Sequence, residues 1–217
     1  MKGEDKMQLG LLESIIGLLA IDKWLIVAGI LIIGITVYGF YKFNIRSKAL
    51  KIGSYIIYYY YLCIILNNII GMPSIKEILR LKSLGEHIFN PNVNLVPLAD
   101  GANLAFILNI FCFIPLGLLT PFLSDVFKKG KNILLLGFLF SLTIEISQMF
   151  TLYRVSDIDD LITNVIGTML GFLGYNFIHK LRTKEATNVV CENTAFISYL
   201  PVFYIVFVVV VTFVTVW

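Results

Sequence analysis

Six long apolar stretches, separated by short polar segments, set the pattern of this chain. Five carry no internal charge: residues 24–41, 52–75, 101–124, 161–178 and 193–217. The sixth, 132–153, is interrupted by Glu145 alone. A helix of about 20 residues, rising 1.5 Å per residue, crosses the hydrocarbon core of a bilayer. Each stretch is close to that length, and none has the alternation that a membrane strand needs over about ten residues. The pattern predicts an all-α fold, a polytopic transmembrane helical bundle of about six spans.

Two segments carry helical periodicity without membrane length. Leu11, Leu12, Ile15, Ile16, Leu18 and Leu19 recur at helical spacing, so residues 1–23 read as an N-terminal amphipathic, interfacial segment. Residues 74–89 set Ile75, Ile78, Leu79, Leu81, Leu84 and Ile88 mostly along one side, among Lys76, Arg80 and Lys82. That predicts a basic amphipathic helix lying on the outer leaflet. Next come Pro91 and Pro97 with Asn90, Asn92 and Asn94, which bar a regular helix. The apolar residues between them make this loop a candidate to dip into the mouth of the bundle. The organisation expected is residues 1–23, a bundle over 24–178 and an extra final helix over 193–217.

Composition agrees with a membrane protein and narrows the chemistry. The chain is 58% hydrophobic and 14% charged, far from the balance of a soluble domain. A net charge of +3, with no basic patch interleaved with aromatics, gives no footing for nucleic acid. Cys63, Cys112 and Cys191 show no CxxC or Cys/His spacing, so neither a disulfide frame nor a metal site is expected, and no cofactor is implied. Glu4, Asp5 and Glu13 do not suit the basic start of a cleavable signal. His87 reads as a surface residue, and Tyr58–Tyr61 as packing and interface anchoring.

Charge also orients the spans. Lys42, Arg46, Lys48 and Lys51 follow the first span, Lys128, Lys129 and Lys131 the third, and Lys180, Arg182 and Lys184 the fifth. Cytoplasmic loops collect Lys and Arg, so these three loops are expected inside a multi-pass plasma-membrane protein, with both termini outside.

The candidate chemistry lies at the other ends of those spans. An ionisable group inside a membrane-length stretch is costly, and it faces protein or a wet cavity, usually with a partner. Ser141, Glu145 and Gln148 fall at i, i+4 and i+7, within about 60° on one helix face. Glu145 is expected about two-thirds of the way out along its span. In the next span Asp157, Asp160, Asn164, Gly167 and Gly171 share a face, polar outside and glycine deeper, where another helix approaches closely. In the third span Asn109 sits above Pro115, which is expected to kink the helix. Antiparallel packing of spans four and five brings Glu145 and Gln148 near Asn164 or Asp160, with Arg154 the nearest cation to bind a carboxylate. Ser156 followed by Asp159 resembles a capping box.

These motifs resemble the VanZ family. They are Asn94-Leu-Val-Pro-Leu98, Asn109-x-x-x-Phe113-x-Pro-x-Gly117, Ser141-x-x-x-Glu145-x-x-Gln148 and Arg154-x-x-Asp157-x-Asp159-Asp160-x-x-x-Asn164-x-x-Gly167-x-x-x-Gly171. The resemblance covers about residues 90–178, leaving the first spans and the last outside. It implies an integral membrane protein of the teicoplanin-resistance type, found mainly in Gram-positive bacteria and linked to lower susceptibility to glycopeptide antibiotics, lipid-tailed ones above all. Motif positions carry over to Asn94, Pro97, Asn109, Pro115, Glu145, Gln148, Arg154, Asp157, Asp160 and Asn164. Leu98 departs from the family's usual aromatic.

Three functions fit the cluster. A pocket facing the outer leaflet would bind a membrane lipid, a lipid-tailed glycopeptide or a lipid-linked cell-wall precursor through Asn94, Asn109, Ser141, Gln148, Asp160 and Asn164. A membrane hydrolase or transferase acting on a lipid-linked substrate would use Glu145, Arg154 and Asp157 as its catalytic candidates. In that enzyme Asp157, Asp159 and Asp160 would offer oxygens to Mg²⁺ or Ca²⁺. A transporter or flippase would need polar groups in the inner half as well, where the chain has mostly glycine and aliphatics.

Overall fold

The computed structural model describes residues 13, 16–45, 48–89, 91–98, 101, 103–152, 154–182 and 195–215. The helices are α1 (Lys23–Lys42), α2 (Lys48–Cys63), α3 (Ile75–Ser83), α4 (Leu104–Leu123), α5 (Gly130–Gln148), α6 (Ile158–Arg182) and α7 (Ala195–Thr215). All but α3 are long and apolar enough to cross a membrane, α2 together with the π-helical turn that continues it to Ile69, so the expected six-span, all-α bundle is the fold. Of the N-terminal amphipathic segment, residues 13 and 16–19 are helical, and its other positions before residue 16 lie outside the described residues.

The centre of the bundle is a close pairing of α4 with α6. A side chain at Gly167 would run into the carbonyl oxygen of Ile110, one at Gly171 into that of Ile114, and one at Gly117 into that of Thr168. Contacts advance along both helices together, so α4 and α6 run parallel. Helix α5 lies antiparallel against α6, where Gly137 leaves room for the Thr168 side chain. Glycine here acts through its missing side chain, which lets two backbones touch. Helix α4 runs as one helix through Pro115 and Pro121. Pro115 leaves the Phe111 carbonyl without a helical donor. One residue on, the Tyr61 hydroxyl donates to the Cys112 carbonyl at 2.9 Å.

The tyrosine run of α2 fastens this core to its neighbours. Tyr59 donates to the Leu25 carbonyl at 2.5 Å, and Tyr55 to the Leu123 carbonyl at 3.4 Å. Tyr58 meets the Thr120 hydroxyl at 3.3 Å. A buried hydroxyl needs such partners, so the cluster packs helices together, as expected from the sequence. Past Cys63 the helix loosens into a π turn over Ile64–Ile69, ending before Gly71 at φ +65°.

Helix α3 is shorter than the periodicity suggests. Ser74 caps its start by accepting from the Glu77 amide at 3.3 Å. It ends at Ser83 because Gly85 takes φ +75°, with Glu86 N–H bonding the Leu81 carbonyl at 3.0 Å and Gly85 N–H the Lys82 carbonyl at 3.2 Å. This is the Schellman arrangement, which only glycine enters without strain. On its exposed side Arg80 grips both Glu77 oxygens at 2.7 and 2.8 Å, and that hydrogen bonding holds the Glu77 carboxyl below the usual range.

Helix direction settles which groups share an end. The start of α4, the end of α5 and the start of α6 lie together. Lys42, Lys48 and Lys51, then Lys128, Lys129 and Lys131, then Lys180 and Arg182 lie at the opposite end.

Candidate functional site

Four segments build the site. They are the loop before α4, the last turn of α5, the link into α6, and the π turn with Gly71. The link is held by a short parallel pairing, β1 (Val93–Asn94) on β2 (Ser156–Asp157), with Val93 opposite Ser156 and Asn94 opposite Asp157. Side chains reinforce it. Asn94 Nδ2 donates to Asp157 Oδ2 at 3.1 Å, and Asn94 Oδ1 accepts from the Val96 amide at 3.2 Å. The prolines of this loop exclude a helix, and the asparagine supplies the turn.

The acidic residues divide the work differently from the sequence expectation. Asp157, not Ser156, caps α6, accepting from the Asp159 amide at 2.9 Å. Asp159 reaches out of the helix and takes the Leu98 amide on both oxygens, at 2.9 and 3.0 Å. Leu98 sits at φ +57°, a left-handed turn in which its N–H points at that carboxylate. The capping box is therefore replaced by a clamp on the mouth loop. Substituting Asp159→Ala should lower the local stability of residues 91–98 by about 1.5 kcal/mol, the low end for a hydrogen bond to a charged group. Faster amide exchange and proteolysis there would register it; unchanged exchange at Leu98 would refute the clamp.

Glu145 lies within one turn of the end of α5, which stops at Gln148, so it sits nearer the mouth than a span ending at residue 153 suggests. It forms no ion pair with Arg154 among the described residues. Its Oε2 accepts instead from the Asp157 amide at 2.9 Å and the Ser156 hydroxyl at 3.3 Å. These are donors at the start of α6, where the helix dipole favours a carboxylate. Its other oxygen, Oε1, is buried and has no partner. Below it, Asn164 Nδ2 donates to Ser141 Oγ at 3.0 Å, and Asn109 Nδ2 donates to Asp160 Oδ1 at 2.6 Å.

Two cavities open among these groups. The outer vestibule, about 250 Å³, is lined by Gly101, Asn103, Ala105, Phe106, Gln148, Arg154, Val155, Asp157, Asp159 and Asp160. The inner chamber, about 60 Å³, is lined by Ile69, Ile70, Asn109, Cys112, Phe113, Ile144, Glu145, Gln148, Arg154, Asp160 and Asn164. Gln148, Arg154 and Asp160 line both, so the two are adjoining compartments. Arg154 is exposed, and its guanidinium rests over Gly71, where a Cβ would lie 3.3 Å from Nη2.

The structure thus gathers Asn109, Glu145, Gln148, Arg154, Asp157, Asp160 and Asn164 around the cavities. Asn94 and Ser141 line neither; they hold Asp157 and Asn164 in place. Asp157, Asp159 and Asp160 all line the vestibule, though among the described residues no group of three His, Cys, Asp or Glu is placed to hold a metal ion. Sequence reasoning missed Gly71, the bond from the Ser156 hydroxyl to Glu145, and the residues Ile69 and Ile70 of the chamber wall. Only the turn-forming Gly71 after an apolar run hints at that wall.

A six-span helical bundle with a polar chamber at one end defines a class, the multi-pass membrane proteins with buried polar groups between helices. The chain belongs to the VanZ/LLP1 family, whose family model matches residues 25–179. That match takes in the first two spans, which the motif resemblance leaves out, and stops short of α7. No curated protein and no solved structure matches the chain.

Proposed function

We propose that the vestibule opens at the outer leaflet of the plasma membrane and binds the head of a cell-envelope amphiphile, a lipid-tailed glycopeptide or a lipid-linked wall precursor. On this reading the protein lowers susceptibility to glycopeptides such as teicoplanin. The observation that carries it is Arg154, an exposed guanidinium at the junction of the two cavities with no ion pair among the described residues. A guanidinium so placed presents its planar fork to a phosphate or carboxylate. Leu95, Val96 and Leu98 stand exposed on the clamped loop beside it, and Ile75, Leu79 and Leu84 on and after α3. Apolar residues around a polar mouth suit a ligand with a charged head and an acyl tail. The basic loops at the far end support the orientation.

Substituting Arg154→Ala tests this. A charge-assisted hydrogen bond contributes about 1.5–3 kcal/mol, so binding should weaken roughly tenfold or more. In cells matched for the amount of protein in the membrane, teicoplanin susceptibility should return to that of cells lacking the protein. Unaltered protection would remove Arg154 from the site.

A further inference from the structure

We propose that the inner chamber receives a primary ammonium group of the bound amphiphile, so that the site reads a zwitterionic head, ammonium inside and phosphate or carboxylate on Arg154. The inference rests on the proposed amphiphile pocket and adds the chemistry of its head.

The chamber's unmet hydrogen bonding is one-sided. Glu145 Oε1, Gln148 Oε1 and Asn164 Oδ1 are buried acceptors without partners, on residues only 4%, 5% and 3% exposed. All three residues line the same cavity of about 60 Å³. An orphaned buried acceptor bears its full desolvation cost. Turning the Gln148 or Asn164 amide would exchange its own oxygen for a donor, but both Glu145 oxygens accept in either case, so Oε1 calls for a donor. An occupant that donates answers all three oxygens as they stand.

Positive charge suits it as well. The inner chamber is lined by the carboxylates of Glu145 and Asp160 against one guanidinium, Arg154, which the phosphate or carboxylate of the same head would engage. Water would satisfy the acceptors but bring no charge to those two carboxylates. An alkyl ammonium has three N–H donors and no acceptor, matching three orphaned oxygens. Room for a few water-sized groups admits a CH₂–NH₃⁺ end. A trimethylammonium has no N–H to offer. Two sources share this chemistry: an ethanolamine-type phospholipid head, and an amino group on a lipid-tailed peptide or wall precursor.

The experiment uses the full-length protein in neutral detergent, with native mass spectrometry reporting binding. The probes are phosphatidylethanolamine, phosphatidylcholine and phosphatidic acid with identical short tails, plus a lipopeptide bearing one lysine and its N-acetylated form. Ammonium-bearing probes should bind roughly tenfold or more tightly than their counterparts, the factor expected for losing a charge-assisted hydrogen bond. A preference among the phospholipids assigns the phospholipid source, and one confined to the lipopeptide pair assigns the peptide amine. In Glu145→Gln, and independently in Gln148→Leu, the preference should fall towards one. Equal binding of each pair by the unaltered protein, with Arg154→Ala weakening all probes, overturns the chamber assignment and leaves the amphiphile pocket standing. No binding of any probe overturns both.

Discussion

Replacing Gly167 by leucine should unfold the centre of the molecule. A Cβ at that position already meets the Ile110 carbonyl oxygen and lies 3.1 Å from the Ile110 Cα. Those atoms are backbone inside a helix, so no rotamer change relieves the contact. Overpacking a tight core costs about 1–3 kcal/mol and occasionally more, and a backbone-to-backbone wedge belongs at the upper end. Asn109 precedes Ile110, so parting α4 from α6 there also breaks the bond from Asn109 to Asp160. Gly167→Leu should accumulate poorly in the membrane and melt well below the unaltered protein in detergent. Gly174 is the internal control, because a Cβ there lies 3.8 Å from the nearest atom, Leu118 Cδ1. Gly174→Ala should be neutral or slightly stabilising, since alanine restricts the unfolded chain. Equal melting of the two variants would show that the glycine contacts do not govern the pairing.

The second large effect separates what Glu145 holds from what it binds. Glu145→Gln retains a side-chain oxygen for the Asp157 amide and should melt close to the unaltered protein, while losing the protection against teicoplanin that the proposed function assigns to the site. Glu145→Ala removes both acceptors and leaves the Asp157 amide and Ser156 hydroxyl unpartnered, at about 1–3 kcal/mol for such a buried orphan. It should therefore lose stability as well as protection. Melting curves and susceptibility, read at matched membrane levels, give the two axes. Full protection by the glutamine variant would reduce Glu145 to a tether between α5 and α6.

Much of this arrangement is written in local pattern. Uncharged runs of membrane length give the spans, because the bilayer imposes that length whatever the packing. The spacing of Gly167 and Gly171 announces a close helix partner, and the shared face of Ser141, Glu145 and Gln148 announces a polar seam. What stayed hidden depends on pairs distant in sequence. Nothing in Val93–Asn94 or Ser156–Asp157 marks two-residue strands, which exist only because the loop and the link meet. Charge complementarity pointed Glu145 at Arg154, yet backbone donors at the start of α6 lie in register with its carboxylate and leave the arginine at the mouth. Asp159 read as a cap, but its side chain is drawn outward by the Leu98 amide. The end of α3 was missed for a simpler reason: apolar periodicity runs on past Gly85, whereas the positive φ of that glycine ends the helix.

Helix α7 packs on α1, α2 and α3, with Tyr204 bonded to Thr36 at 2.7 Å, and contributes no residue to either cavity. The family match ends at residue 179, before α7 begins. Helix α7 bears on the chamber through its neighbours: it packs on the π turn Ile64–Ile69, whose last residue lines the inner cavity, and on α3. A substitution in α7 reaches the ligand through the fit of those two elements rather than through a side chain of its own.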